Sequence, residues 1–116
     1  MYEDVKEKIH WAGRSGKAYE YNIYKLGTKF KRIPANFIVT QMTTLKKWKP
    51  LYVGQSEDLS RYLEKIGDMP FIEENEATHI HVHANRAGLR SRLMEEHDLL
   101  NKWHPDLNRK SGTRFL

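Results

Sequence analysis

The spacing of apolar residues changes along this chain, and that change constrains the fold more than any other feature. Residues 18–26 place tyrosine and isoleucine at every second position, and residues 35–41 are rich in β-branched and aromatic side chains; both patterns are typical of strands. Residues 57–66 and 86–103 carry apolar side chains at every third or fourth position, which is typical of helices. We therefore expect an α+β fold.

The predicted sheet is small. A short run ending at Gly54 follows the strand at 35–41 closely enough to form a hairpin with it, and the alternating run from His79 to His83 adds another strand. We predict a three-stranded, mainly antiparallel sheet from 35–41, 50–54 and 78–84, flanked by helices near 57–66 and 86–103. An extra N-terminal strand at 18–26 is expected to pair with an edge of this sheet or lie beside it. Residues 3–10 are charged enough to predict a short helix.

The length of 116 residues predicts a single domain. We expect a core at about 35–108, an N-terminal extension at 1–34 and a basic C-terminal tail at 109–116. No apolar run approaches the roughly 20 residues of a membrane helix, and residues 1–11 lack an apolar signal region. The chain has no cysteine, which excludes a disulfide framework and a thiolate nucleophile. These features predict a cytoplasmic protein without a membrane partner.

Positive charge is concentrated in one stretch of the chain, whose formal net charge is +5. No acidic residue occurs between Glu20 and Glu57, where seven lysines and arginines fall among aromatic residues. Cations beside aromatic rings suit nucleic acid, although a charge run can also be only a solvated face. The candidate nucleic-acid-binding residues are Arg32, Lys46, Lys47 and Lys49.

A glutamate in the last predicted helix has an unusual position. The apolar stripe of that helix is predicted to contain Leu89, Leu93, Leu100 and Trp103, and the spacing puts Glu96 on the same face. Burying a carboxylate is costly unless it is paired or binds a metal. One interpretation is an ion pair with Arg92 one turn earlier. The other is a functional carboxylate.

Three motifs occur in a particular order. A hairpin strand ends in Tyr52-Val53-Gly54 and leads through Gln55-Ser56-Glu57-Asp58-Leu59 into a helix. A later helix carries Glu96-x-x-Leu99-Leu100, followed by Pro105-x-x-Asn108. In order and spacing, this pattern over about residues 35–108 resembles the GIY-YIG endonuclease domain.

The resemblance implies metal-dependent hydrolysis of DNA phosphodiesters. It implies one Mg²⁺ (or Mn²⁺) at Glu96, which would stabilise the charge that develops on the phosphate. Tyr52 would orient or deprotonate the attacking water, and Asn108 would help to organise the site. Arg61 is the cation nearest to the arginine position that the resemblance requires. Since 116 residues leave no room for a separate DNA-targeting domain, we expect targeting by the chain's own loops or by a protein partner.

Two departures from the pattern affect the expected activity. Phe37 lies where the first motif implies a tyrosine, and Tyr62 lies where the helix implies a phosphate-clamping arginine. Both losses predict weak or absent cleavage, so the sequence does not decide whether the chain is an active enzyme. One alternative is a catalytically inactive module that binds nucleic acid or protein. A second is a metal-binding protein that uses His79, His81 and His83, which alternate onto one strand face.

Overall fold

The computed structural model describes residues 7–66 and 70–111. Within these ranges the strands are β1 (Lys8–Ala12), β2 (Ala18–Lys25), β3 (Ala35–Met42), β4 (Trp48–Ser56) and β5 (His79–Ala84). The helices are α1 (Leu59–Ile66), α2 (Pro70–Glu74), α3 (Leu89–Trp103) and α4 (Asp106–Ser111).

All the strands belong to one antiparallel sheet with the order β1-β2-β5-β3-β4. The strands β1 and β2 form one hairpin, β3 and β4 form another, and β5 pairs with the inner strand of each. This arrangement makes β3 a central strand, and its residues from Ala35 to Thr40 are buried. Continuous burial explains why this segment is apolar over most of its length instead of strictly alternating.

The prediction of a three-stranded sheet flanked by helices is wrong. Segments 35–41, 50–54 and 78–84 do lie in strands, but β1 and β2 extend the sheet to five strands, and α3 is the one helix longer than eight residues in the described ranges. The helix expected at 3–10 is replaced from Lys8 onward by β1, where the buried Trp11 lies between the exposed His10 and the partly exposed Ala12. Charge at the exposed positions concealed this alternation.

The N-terminal strand β2 pairs, as expected, with an edge of the sheet predicted from 35–41, 50–54 and 78–84, because its neighbour there is β5; β1 then lies on its other side. β2 is an interior strand, because Ala18–Asn22 pairs with β1 and Asn22–Lys25 pairs with β5. The segment before residue 35 therefore supplies two strands of the same sheet that carries the motifs.

The sheet has an apolar cluster on each face. One cluster places Phe37, Val39 and Tyr52 against Leu59 of α1 and Ile72 of α2. The other combines Trp11, Tyr21, Ile38 and Val53 with Leu99 of α3. Neighbouring residues such as Tyr52 and Val53 thus face opposite layers, as strand geometry requires, and β4 connects the two layers.

The helices have simple limits. α3 ends at His104 in the left-handed conformation, directly before Pro105, which cannot continue the helical hydrogen bonding. α4 runs to Ser111, and the rest of the predicted tail at 109–116 lies outside the described residues. In the described ranges, no helix has both the length and the apolar character that crossing a membrane requires.

Candidate functional site

The buried face of α3 differs from the predicted stripe. Arg92, Glu95 and Leu99 are its buried residues, whereas Leu89 is 55% and Met94 is 63% exposed. The helix is therefore rotated so that polar side chains face the sheet, because the sheet offers them hydrogen-bonding partners. Those partners are distant in sequence, so local spacing could not indicate them. The prediction instead assigned the leucines to the buried face.

Glu96 lies at the boundary of that face and is half-buried. Among the described residues it forms no ion pair. The predicted partner Arg92 instead donates from Nε to Gln55 Oε1 (3.0 Å) and from Nη1 to the carbonyl oxygen of Asn85 (3.2 Å). Burial without a neutralising cation raises the pKa of Glu96 to about 7.

Two tyrosines from different elements meet at their hydroxyl groups, where the charge of Glu96 is also felt. The hydroxyl oxygens of Tyr52 on β4 and Tyr62 on α1 lie 3.0 Å apart. Burial, the hydrogen bond with Tyr52 and the negative charge of Glu96 raise the pKa of Tyr62 above its ordinary range. β4, α1 and α3 therefore bring Tyr52, Tyr62 and Glu96 into one electrostatic environment.

Phe37 forms the apolar wall of this site. Its ring is fully buried and lies 5.0 Å from the Tyr62 ring and 6.2 Å from the Tyr52 ring, between centroids. It faces Gly54 across the β3–β4 pair. A Cβ atom at Gly54 would lie 2.7 Å from Phe37 Cζ, so this glycine is required by the close approach of the ring.

Asn108 has a structural contact with the strand that carries Tyr52. Its Oδ1 accepts from the N–H of Val53 (2.8 Å), and its Nδ2 donates to the carbonyl oxygen of Val53 (2.7 Å). Both hydrogen bonds are buried and satisfy the outer edge of β4, which would otherwise be unpaired at this residue. Asn108 is therefore a positioning residue for β4.

The predicted basic residues divide into two groups. Arg61 and Arg32 are exposed near the start of α1. There the pKa of Asp58 is lowered mainly by the hydrogen bond from Ser60 and further by the charges of both arginines. Lys46 and Lys47 lie in the turn of the β3–β4 hairpin, and Lys49 follows at the beginning of β4. These lysines are exposed at the opposite end of the hairpin from α1, so the four predicted nucleic-acid-binding residues do not form one patch.

Glu96 is the carboxylate of this site that could be a metal ligand. No cluster of three or more histidine and acidic side chains suited to a metal occurs in the described part of the chain. Mg²⁺ commonly keeps most of its water ligands and binds proteins through one or two carboxylates. A half-buried carboxylate without a cation partner fits such an ion, so Glu96 would be its protein ligand.

The three histidines of β5 have separate partners. His81 is fully buried; its Nδ1 accepts from Trp11 Nε1 (2.9 Å) and its Nε2 lies 3.3 Å from Thr40 Oγ1. Burial lowers the pKa of His81 to about 3, so the ring is neutral. His79 contacts Thr78, and His83 contacts Glu95. Their side chains do not converge on one point.

The sequence prediction missed a polar cluster on the other side of α3. Glu95 is 3% exposed, and its carboxylate accepts from the Tyr21 hydroxyl (2.5 Å) and contacts His83 Nδ1 (2.9 Å). The stripe predicted for this helix did not include Glu95. Glu95 lies three residues after Arg92 and four before Leu99, so helical spacing puts all three on one face. Because two of the three are charged, that spacing did not indicate a buried face.

No protein-family model, curated protein or solved structure matches this chain.

Proposed function

We propose that this chain is a DNA-binding protein with a GIY-YIG-like phosphodiesterase site that depends on a divalent metal and has weakened activity. The observation that carries the proposal is the convergence of Tyr52, Tyr62 and Glu96 from three elements. Hydroxyl groups that can orient water are within the electrostatic influence of a carboxylate that lacks a cation, and hydrolysis of a phosphodiester requires both functions.

Each residue of the proposed site has a separate role in hydrolysis. Glu96 would hold the ion, and the ion would supply stabilisation of the charge that develops on the phosphate. Tyr52 orients the attacking water through its hydroxyl oxygen. Asn108 fixes the backbone on which Tyr52 is carried, through its paired hydrogen bonds with Val53. Arg61, exposed on α1, is the nearest candidate for a phosphate contact from that helix.

A specific observation favours a second candidate, a nucleic-acid-binding protein of the same architecture without cleavage. Tyr62 occupies the position at which the resemblance implies an arginine, and its hydroxyl group is neutral and is engaged with Tyr52. Transition-state charge would then be stabilised by the ion alone, and loss of one preorganised contact commonly costs a factor of about 10² to 10³ in rate.

The experiment that separates the two candidates is a nicking assay on supercoiled plasmid DNA with Mg²⁺ or Mn²⁺. We expect slow, metal-dependent nicking that disappears in Glu96→Ala. Metal-dependent nicking of equal rate in Glu96→Ala would contradict the assignment of the site. Binding without nicking in either protein would favour the inactive nucleic-acid-binding protein.

A further inference from the structure

The turn of the β3–β4 hairpin projects beyond the neighbouring strand of the sheet. The last pair between β3 and β5 is Thr40–His79, whereas β3 and β4 remain paired as far as Met42–Trp48. Residues 43–47, which we call the hairpin tip, therefore extend past β5 at the opposite end of the hairpin from α1. The hairpin tip is a surface that the proposed hydrolysis does not use.

Hydrogen bonds fix the backbone of the hairpin tip. The N–H of Thr43 donates to the carbonyl oxygen of Lys47 (2.9 Å), and the N–H of Lys46 donates to the carbonyl oxygen of Thr43 (2.9 Å). The hydroxyl oxygen of Thr43 accepts from the N–H of Lys47 (3.2 Å). Lys46 has a left-handed conformation with a φ of 59°, which favours glycine and is unfavourable for a lysine. A cation thus occupies a position where glycine would fold more easily.

Leu45 presents its side chain to solvent at the apex of the tip. It is 78% exposed, more than any other large apolar side chain in the described ranges. The nearby Trp48 ring packs against the sheet instead, with its centroid 4.8 Å from that of His79 and 4.6 Å from that of His81. The tip therefore presents a single, strongly exposed apolar side chain on a fixed backbone.

Cations flank this apex. Lys46 and Lys47 follow it directly, Lys49 lies at the beginning of β4, and all three are exposed. The whole hairpin, residues 35–56, contains no acidic residue. Glu7 and the glutamates of the segment between α2 and β5 belong to neighbouring elements, and no described carboxylate forms an ion pair with any of the three lysines. The charge of the hairpin tip therefore complements a polyanion.

A single apolar side chain among cations fits duplex DNA at a base step that unstacks easily. Proteins that bend DNA from the minor groove insert a leucine or a similar side chain between two base pairs, and cations contact the phosphates. One side chain is sufficient for that insertion, whereas a membrane surface binds a broader apolar face. The fixed turn also favours insertion, because a preorganised side chain loses little conformational freedom on binding.

We propose that Leu45 is a wedge that enters the minor groove of duplex DNA and unstacks one base step, while Lys46 and Lys47 contact the flanking phosphates. The proposal rests on the proposed function in taking duplex DNA as the partner, and it does not require cleavage. It adds a preference for a mismatch or a flexible pyrimidine–purine step, where unstacking costs least, over a stiff A-tract.

The test compares two duplexes of equal length, one with a central mismatch beside 2-aminopurine and one with an uninterrupted A-tract. Fluorescence anisotropy measures the affinity for each duplex, and 2-aminopurine fluorescence measures unstacking. We expect the wild type to bind the mismatch duplex about tenfold more tightly than the A-tract and to raise 2-aminopurine fluorescence above that of free DNA. Leu45→Ser should lose both effects and keep the wild-type affinity for the A-tract.

Two further variants separate the wedge from the charge and from folding. Leu89→Ser is the matched control, because it removes another exposed leucine, on α3 and outside the hairpin, and both effects should persist. Lys46→Gly should fold more stably, since glycine accepts the left-handed conformation. It should nevertheless weaken binding to both duplexes and reduce the slope of log K against the logarithm of salt concentration by about 0.9.

Each outcome has a distinct meaning. A mismatch preference and a fluorescence increase that persist in Leu45→Ser overturn the wedge, and if both duplexes still bind, the proposed function stands. An unchanged salt slope in Lys46→Gly overturns the assignment of that cation to a phosphate. If Leu45→Ser abolishes sedimentation with phosphatidylserine vesicles and leaves DNA binding unchanged, the tip docks on membranes and the proposal is overturned. Absence of binding to every duplex overturns both the wedge and the proposed function.

Discussion

The hydroxyl groups of Tyr52 and Tyr62 lie 3.0 Å apart at the junction of β4 and α1. Under the GIY-YIG resemblance, the position of Tyr62 is that of a phosphate-clamping arginine. Under the proposed function, a neutral hydroxyl group would therefore lie where a cation would stabilise the charge that develops on the phosphate. This difference is the physical reason that we expect cleavage to be slow.

Replacing Tyr62 with arginine should increase nicking. The new guanidinium would lie near Glu96 and Tyr52, and its aliphatic stem can cover Phe37, which the Tyr62 ring covers now. We expect a rate increase of about tenfold or more in the plasmid assay. Tyr62→Phe is the control, because it removes the hydroxyl group and adds no charge, and it should not increase the rate. An equal increase in both variants would show that release of Tyr52, and not the added charge, limits the reaction.

The pH dependence of stability should depend on Glu96. The folded state raises the pKa of this carboxyl from 4.5 to about 7, so folding favours its protonated form. This contribution to stability is complete below the unfolded value and is lost as pH rises toward 7. Glu96→Gln removes the titration. Above pH 7, the variant should exceed the wild type in free energy of unfolding by about 1 to 2 kcal/mol, a value reduced for solvent exposure.

Urea denaturation of both proteins across this pH range measures that difference. The same experiment tests the metal, because an ion bound by ionised Glu96 stabilises the native state. Added Mg²⁺ or Mn²⁺ should raise the free energy of unfolding of the wild type above pH 7 and should not change that of Glu96→Gln. A parallel pH profile for the two proteins would mean that Glu96 is solvated in solution.

Asn108 should contribute to stability through both of its hydrogen bonds. Asn108→Ala leaves the N–H and carbonyl of Val53 without their partners, and a loss of about 2 to 3 kcal/mol in the free energy of unfolding is expected. Asn108→Asp can still accept from the Val53 N–H, but its second oxygen faces the Val53 carbonyl oxygen. At neutral pH it should therefore also be destabilised. An Asp variant as stable as the wild type would show that the donor half of this contact has no importance.

Duplex affinity tests the hairpin lysines. Combined replacement of Lys46, Lys47 and Lys49 by alanine should weaken duplex binding. It should also reduce the slope of log K against the logarithm of salt concentration by about 0.9 for each phosphate contact that is lost. All three side chains are exposed, so folding should be retained. Measurement of Kd at several salt concentrations provides the slope. An unchanged slope would indicate that this charge run serves only solubility, and Arg32 and Arg61 would then be the remaining predicted cations.

The sequence alone determined where most elements lie. Alternation and β-branched residues located strands at 35–41 and 78–84, because burial of both faces of a strand requires such side chains. The order of the motifs selected Tyr52, Glu96 and Asn108. The sequence did not show that residues 8–12 form a strand, since charge at Lys8 and His10 concealed the alternation with the buried Trp11. The predicted number of strands was therefore wrong, because β1 was not predicted.

Only the tertiary structure decided which side chains face each other. Glu96 and Arg92 have the spacing of a helical ion pair, yet Arg92 binds Gln55 and Asn85 because those acceptors are buried beside it. Glu95 was outside the predicted stripe, and it lies in the core because Tyr21 and His83 provide donors from two strands. Local spacing located the apolar strands, but on α3 it selected leucines that are exposed instead of the buried face. Buried polar groups need partners that are distant in sequence, and only the folded chain supplies them.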